Sequence, residues 1–417
     1  MNRLVMLSLS AMLIAGMVGF APPSQATPSA KITEFSLPNA NAEPNDITLG
    51  PDGAFWFAET GTSAIGRITP SGSLSEFPTP TGDSGPVGVT TGPDGALWFT
   101  ERTASKIGRM TTSGTATEFS LPSAGSGPHG IVTGPDGNLW FTETDSGKVG
   151  RITPTGTITE FPTSSANNGP HDIVVGPDGA LWFTEGDGHQ IARMTTDGHQ
   201  TEFVPPTASF LDGLAVGPDG ALWFTEIDSN RVGRITTSGQ ITEFPLPTPA
   251  NNTGGPGDII SGPNNMLWFV EGEQPAPDNA IASITPSGLV TEYVIPTDHS
   301  EPEDLVEAPD GSIWFTEFAS GKVGHLVLLP DTQITSAKVP RGTGRATFSF
   351  KATGASTGFQ CAVVRKRHAP HAPQFKGCSS PKTYKNMPPG SYTFLVRAVN
   401  GSDRDPTPAK KAFKITG

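Results

Sequence analysis

The dipeptide Trp-Phe occurs seven times in this chain, at Trp56, Trp98, Trp140, Trp182, Trp223, Trp268 and Trp314, and it holds every tryptophan in the protein. The intervals are 42, 42, 42, 41, 45 and 46 residues. A sustained period of this length predicts a repeat architecture, in which each unit buries its apolar face against the next.

The unit is clearest between Thr117 and Met194, in two copies. Thr-Glu-Phe leads through a Gly/Pro-rich loop to Pro-His-x-Ile-Val. Gly-Pro-Asp-Gly, Leu-Trp-Phe-Thr-Glu and a segment ending in Arg-Ile-Thr or Arg-Met-Thr follow. Short pieces rich in β-branched and aromatic residues, bounded by turn formers, predict strands. No stretch after the first 26 residues keeps a 3.6-residue apolar period. In Gly134-Pro135-Asp136-Gly137, Pro presets φ, Asp caps the turn and Gly takes a positive φ. Thr153-Pro154-Thr155-Gly156 is a second turn of this kind. Four antiparallel strands result: Ile131–Val132, Leu139–Glu143, Val149–Thr153 and Ile158–Phe161. That is the size of a β-propeller blade.

A Thr/Ser-Glu-Phe/Tyr strand occurs around Glu34, Glu76, Glu118, Glu160, Glu202, Glu243 and Glu292, and none follows Trp314. Ile32–Phe35 is therefore expected to be the outer strand of the last blade, beside Val323–Leu328. This predicts an all-β, seven-bladed propeller over 27–330 closed by an N-terminal outer strand. The alternative, an open solenoid, would leave bare sheet edges. Adjacent strand residues point to opposite faces, so Trp and Phe should pack on the two neighbouring blades. The Glu after the dipeptide (Glu101, Glu143, Glu185, Glu226) reads as a repeated hydrogen-bond acceptor.

Both ends differ from the repeats. Arg3 and the apolar run Leu4–Phe20, followed by Ser24-Gln25-Ala26, form an export signal over 1–26, which places the rest outside the cytoplasm, secreted or at the cell surface. No other segment is long and apolar enough to span a membrane. After Pro330 the repeat stops. Residues 331–417 carry alternating stretches (Ala346–Phe350, Phe359–Val364, Tyr392–Val399, Ala412–Ile415) that predict a small β-sandwich. Cys361 and Cys378, the only cysteines, read as a disulfide in an exported chain. A metal site using His368 and His371 is the alternative. The 331–417 segment has 15 Lys/Arg against 3 Asp/Glu, and 27–330 has 11 against 37. The acidic propeller repels nucleic acid. The basic segment could hold an anionic cell-surface polymer or dock on its own propeller.

A propeller's ligand site is normally the mouth of its channel, built from inner-strand starts. Here those are Glu43–Asp46, Gly85–Gly88, Gly127–Gly130, Gly169–Asp172, Phe210–Gly213, Gly255–Asp258 and Glu301–Asp304. On a repeated framework, the variable side chains carry function. His129 and His171 occupy the same place in adjacent blades and should converge. Glu43, Glu301 and Glu303 fall in neighbouring blades, and a carboxylate cluster suits Mg²⁺ or Ca²⁺. A neutral His near a carbonyl suits proton abstraction.

The repeat exemplified by Gly134–Glu143, Lys148–Thr153 and Ile158–Phe161 resembles the virginiamycin B lyase (streptogramin lyase) family, over about residues 31–328. The resemblance implies a seven-bladed propeller. In antibiotic-inactivating members it implies opening of a cyclic depsipeptide by elimination at its ester, with Mg²⁺ on a carbonyl and a His as base. Glu301 matches one metal ligand and Glu317 is the nearest match to the second. The base His of the family's Glu-Pro-His-Gly motif is replaced by Glu303, and its substrate-contacting His falls on Gly257. His129 and His171 form a similar pair rotated around the ring, with Glu185 as the following acid. Gly169 stands where the metal-binding Glu should precede Pro170. The expected roles are therefore Glu303 or His171 as base, Glu301 and Glu317 on the metal, and His129, Asp172 and Asp258 as substrate contacts. The segment around Phe359–Cys361, Cys378–Pro381 and Gly390–Ala398 resembles bacterial immunoglobulin-like or fibronectin III-like modules. Besides a lyase, a non-catalytic binding scaffold and a sugar-lactone hydrolase fit the sequence.

Overall fold

The computed structural model describes residues 29–164, 168–247, 255–272, 279–354, 356–366 and 372–417. The export signal expected over 1–26 and the alternative metal ligands His368 and His371 lie outside the described residues. Among the described residues, no helix is long and apolar enough to cross a membrane.

Seven four-stranded antiparallel sheets follow one another along the chain. The third, typical of the set, contains Pro128–Thr133, Leu139–Glu143, Lys148–Ile152 and Ile158–Pro162. Its turns are those expected, with Gly137 at φ 74° and Gly156 at φ 93°. Asp136 does more than cap its turn, because its carboxylate also accepts the indole N–H of Trp140 at 3.0 Å. The inner strands Pro44–Leu49, Pro86–Thr91, Pro128–Thr133, Pro170–Val175, Leu211–Val216, Pro256–Gly262 and Pro302–Glu307 pack each on the next, and the last packs on the first. The outermost strand of the seventh sheet is Ala30–Ser36, paired with Lys322–Leu328 so that Glu34 faces Gly324. The ring is closed by the N-terminal strand, as the repeat count predicts.

The core lies between blades. Trp140 of the third blade packs with Leu181 and Phe183 of the fourth, while Phe141 packs with Trp98 of the second. Across the closure, Trp314 stacks on Phe55 at 4.6 Å between ring centroids. All seven Trp side chains are fully buried. Large, rigid aromatics at one register thus weld each interface. Gly150 leaves room for this packing, because a Cβ there would sit 2.1 Å from the ring of Phe141.

Residues 331–417 form two further sheets around one core that includes Phe348, Phe350, Cys361, Phe394 and Val396. Every alternating stretch read from the sequence lies in a strand. The Cys361–Cys378 disulfide is present. It staples Gly358–Arg365 to its neighbour Lys376–Cys378 within one sheet.

Candidate functional site

Each inner strand carries a β-bulge at its start. In the third blade Pro128 pairs with Glu143, but Ile131 pairs with Phe141, so His129 and Gly130 are bulged out. The other six blades shift register at the same place. A bulge re-aims side chains and sharpens the local twist. All the bulge residues except Gly257 line one cavity of about 50 Å³ at the channel mouth.

Two sets of residues line the cavity. The second bulge residues are Asp46, Gly88, Gly130, Asp172, Gly213, Asp258 and Asp304. Three of these carboxylates clasp the next blade. Asp304 accepts the N–H of Ile47 at 2.7 Å, Asp46 that of Val89 at 2.8 Å, and Asp172 that of Leu214 at 2.8 Å. Asp46 and Asp258 also hydrogen-bond to the carboxyl of Asp304, which requires a shared proton. Burial, and then mutual repulsion, pushes Asp258 and Asp304 well above the usual carboxylate range. Asp172 is pushed up to about 7, first by burial and then by nearby acids. Where glycine replaces Asp, the backbones approach closely. A Cβ on Gly88 would lie 2.3 Å from the carbonyl oxygen of His129.

The first bulge residues on the cavity are Asn45, Val87, His129, His171, Asp212 and Glu303. His129 and His171 do converge, with ring centroids 3.8 Å apart and planes tilted by 35°. Nδ1 of His171 lies 2.8 Å from Oδ1 of Asp212 in the fifth blade. His171 and Phe210 meet edge to face, with ring centroids 5.7 Å apart. Burial pulls the His171 pKa down, but the Asp212 carboxylate, joined by Asp172, reverses this and the net shift is upward. His129 is held well below the ordinary value by burial, then by the charges of His171 and Arg102. Arg102 itself pairs with Asp145 at 3.3 Å, and Asp145 lies against Gly127, two residues before His129.

The acids named from the sequence separate into two groups. Glu303 is exposed and lines the cavity, together with Asp172 and Asp258. Glu43 and Glu301 do not line it. Both take a left-handed backbone, at φ 48° and 49°, where Gly85, Gly127 and Gly169 serve other blades. Glu317 is fully buried within its blade, where its carboxyl accepts Ser320 at 3.0 Å and hydrogen-bonds to Glu34. Burial and then the Glu34 charge push it up to about 8.

Glu301 and Glu317 do sit at neighbouring strand ends, since Pro302 pairs with Glu317. Among the described residues, one oxygen of Glu317 meets no donor within ordinary hydrogen-bond distance, and the same holds for Glu59, Glu143 and Glu226 at the equivalent place. The orphaned oxygen therefore belongs to the repeat. Among the described residues, no group of three or more His, Cys, Asp or Glu is placed to hold a metal ion. The two glutamates do not by themselves make a metal centre.

Sequence reasoning assigned no role to Asp212, Asp46 or Asp304. The available signal was Leu211-Asp212-Gly213, where the proline of other blades is missing and an acid replaces the histidine.

The model of the virginiamycin B lyase family matches residues 24–180 and 126–354. Among solved structures, a virginiamycin B lyase from Staphylococcus aureus is 40% identical, covering 72% of this chain and 100% of its own, with a TM-score of 0.67. A streptogramin B lyase is 38% identical over 72% of this chain and 98% of its own, also at 0.67. A catalytically inactive variant of the S. aureus enzyme, solved with quinupristin, is 38% identical over 72% and 100%, at 0.66. No curated protein matches this chain.

Proposed function

Because the chain belongs to the virginiamycin B lyase family, we propose that it opens the ring of a cyclic ester by elimination at its channel mouth. The observation that carries this reading is the imidazole pair His129–His171, braced by Asp212 and facing Glu303 across one cavity. In such an elimination a base removes the proton from a carbon beside a carbonyl. The electron pair becomes a C=C bond as the adjacent ester C–O bond breaks, and a carboxylate leaves. His129, His171 and Glu303 are the groups at the mouth that can exchange a proton with a ligand. Asp172 and Asp258 line the same cavity as ligand contacts. Glu301 and Glu317 offer Mg²⁺ or Ca²⁺ two carboxylates at most, fewer than the six or so oxygens such an ion takes, so the elimination is assigned to the side chains of the mouth alone. The protein is proposed to work outside the cytoplasm, where its disulfide is stable.

Incubation of pure protein with quinupristin, in Mg²⁺ and in EDTA, tests the reading by mass spectrometry. Elimination yields a linear product of unchanged mass. A product one water heavier would instead indicate lactone hydrolysis, and intact substrate at high enzyme after long incubation would refute catalysis on this compound.

A second reading is an extracellular binding scaffold. The exposed lysines Lys338, Lys410, Lys411 and Lys414 form no ion pair among the described residues, whereas many propeller bases are paired. In that reading the basic 331–417 segment holds an anionic cell-surface polymer.

A further inference from the structure

We propose that His129 and His171 carry a single positive charge between them, which Asp212 fixes on His171, so that His171 polarises a ligand carbonyl and His129 accepts the proton. This rests on reading the mouth as an acid–base site, and it reverses the roles the sequence suggested for the two rings.

The geometry divides the labour. Asp212 lies 2.8 Å from Nδ1 of His171 and belongs to the next blade, so the fold itself holds the contact. A proton on Nδ1 toward Asp212 leaves the Nε2–H of His171 for a ligand. Among the described residues, His129 has no carboxylate partner of this kind. Its ring is stacked on His171 at 3.8 Å, where a second positive charge would be repelled. The other charged groups favour the same division. Asp172, on the strand of His171, adds to the negative side of that ring, and Arg102 acts on both rings. Glu303, Asp258 and Asp304 line the same cavity. Phe210 and His171 meet edge to face.

The chemistry balances on this arrangement. As His129 takes the proton from the carbon beside the carbonyl, His171 delivers its Nε2 proton to the carbonyl oxygen, giving an enol. The pair carries one charge before and after. When the enol O–H returns its proton to His171, the C=O re-forms, the C=C bond forms and the ester C–O bond breaks, with the electron pair leaving on the carboxylate, which takes the proton from His129 so that the pair ends with one charge. Asp212 is a positioning residue, and neither bond change touches it.

The test is a proton NMR titration of the histidine Cε1–H signals in the full chain. His129→Gln and His171→Gln serve for assignment. His171 should titrate above 6.5, and His129 should stay neutral until well below it. Asp212→Asn should lower the His171 midpoint by one pH unit or more. Nitrogen shifts of the unmutated protein should place a proton on Nδ1 of His171, which keeps the test independent of how the variants fold. A His129 midpoint above that of His171, or a His171 midpoint unmoved in folded Asp212→Asn, would overturn the proposal. Turnover of quinupristin is a separate measurement, and its failure would remove the ring-opening function while leaving this charge division standing.

Discussion

Glu143→Gln should stabilise this protein at alkaline pH and leave it unchanged in acid. Glu143 is fully buried; its carboxyl accepts Ser146 at 3.1 Å and has the hydroxyl of Ser126 within reach. Its neighbour Glu160 already holds Lys148 at 2.6 Å, so the local cation is taken. Burial, and then the Glu160 charge, push Glu143 from 4.5 up to about 7. Below 4.5 the folded and unfolded chains both bind this proton, and no penalty applies. Between 4.5 and about 7 only the folded chain binds it, so stability falls as pH rises. Beyond that range the loss is complete, at about 3 kcal/mol from roughly 1.36 kcal/mol per pH unit. Glutamine has the shape of the protonated acid and never ionises. Urea unfolding of both proteins at pH 4 and pH 8 measures the effect. The variant should match the parent at pH 4 and exceed it by about 2–3 kcal/mol at pH 8. A pH-independent difference, or a variant weaker at pH 8, would show that Glu143 is ionised in the fold.

Trp140→Ala should destabilise the ring by about 3–5 kcal/mol, because it opens a cavity between the third and fourth blades. Urea unfolding at neutral pH measures this, and a loss under about 1 kcal/mol would mean the interface collapses to fill the space. Changing Lys338, Lys410 and Lys411 together to Gln should make the protein elute from immobilised polyglutamate at lower salt, since fewer counterions are exchanged. Elution at unchanged salt would count against the scaffold reading.

The blades could be read from the sequence because their signals are local. Turn chemistry at Gly134–Gly137 and the alternation around Trp140 need no distant partner. Ring closure was legible too, because the strand at Glu34 has no counterpart after Trp314. The bulge was not. It is a one-residue change of register decided by cross-strand pairing, so Pro128–Gly130 reads as loop although it begins a strand. The partnership of His171 with Asp212 joins two blades at a distance no local pattern encodes. The convergence of His129 and His171 was readable because the repeat places both at one register. Glu317 shows the converse limit: its position in the motif was clear, but its surroundings depend on Glu34 from the other end of the chain.

The pairing of Ala30–Ser36 with Lys322–Leu328 also dictates an order of events. A strand made first must wait, unpaired, until the whole ring of blades has been synthesised. Until then Lys322–Leu328 has no outer neighbour, and the seam where Trp314 stacks on Phe55 cannot form. Such a long-range contact is slow to reach and leaves sheet edges open to the wrong partner meanwhile. The channel mouth straddles this seam, since Asp304 of the last blade clasps Ile47 of the first. A chain stalled or clipped before closure would therefore hold most of its blades and lack a working mouth.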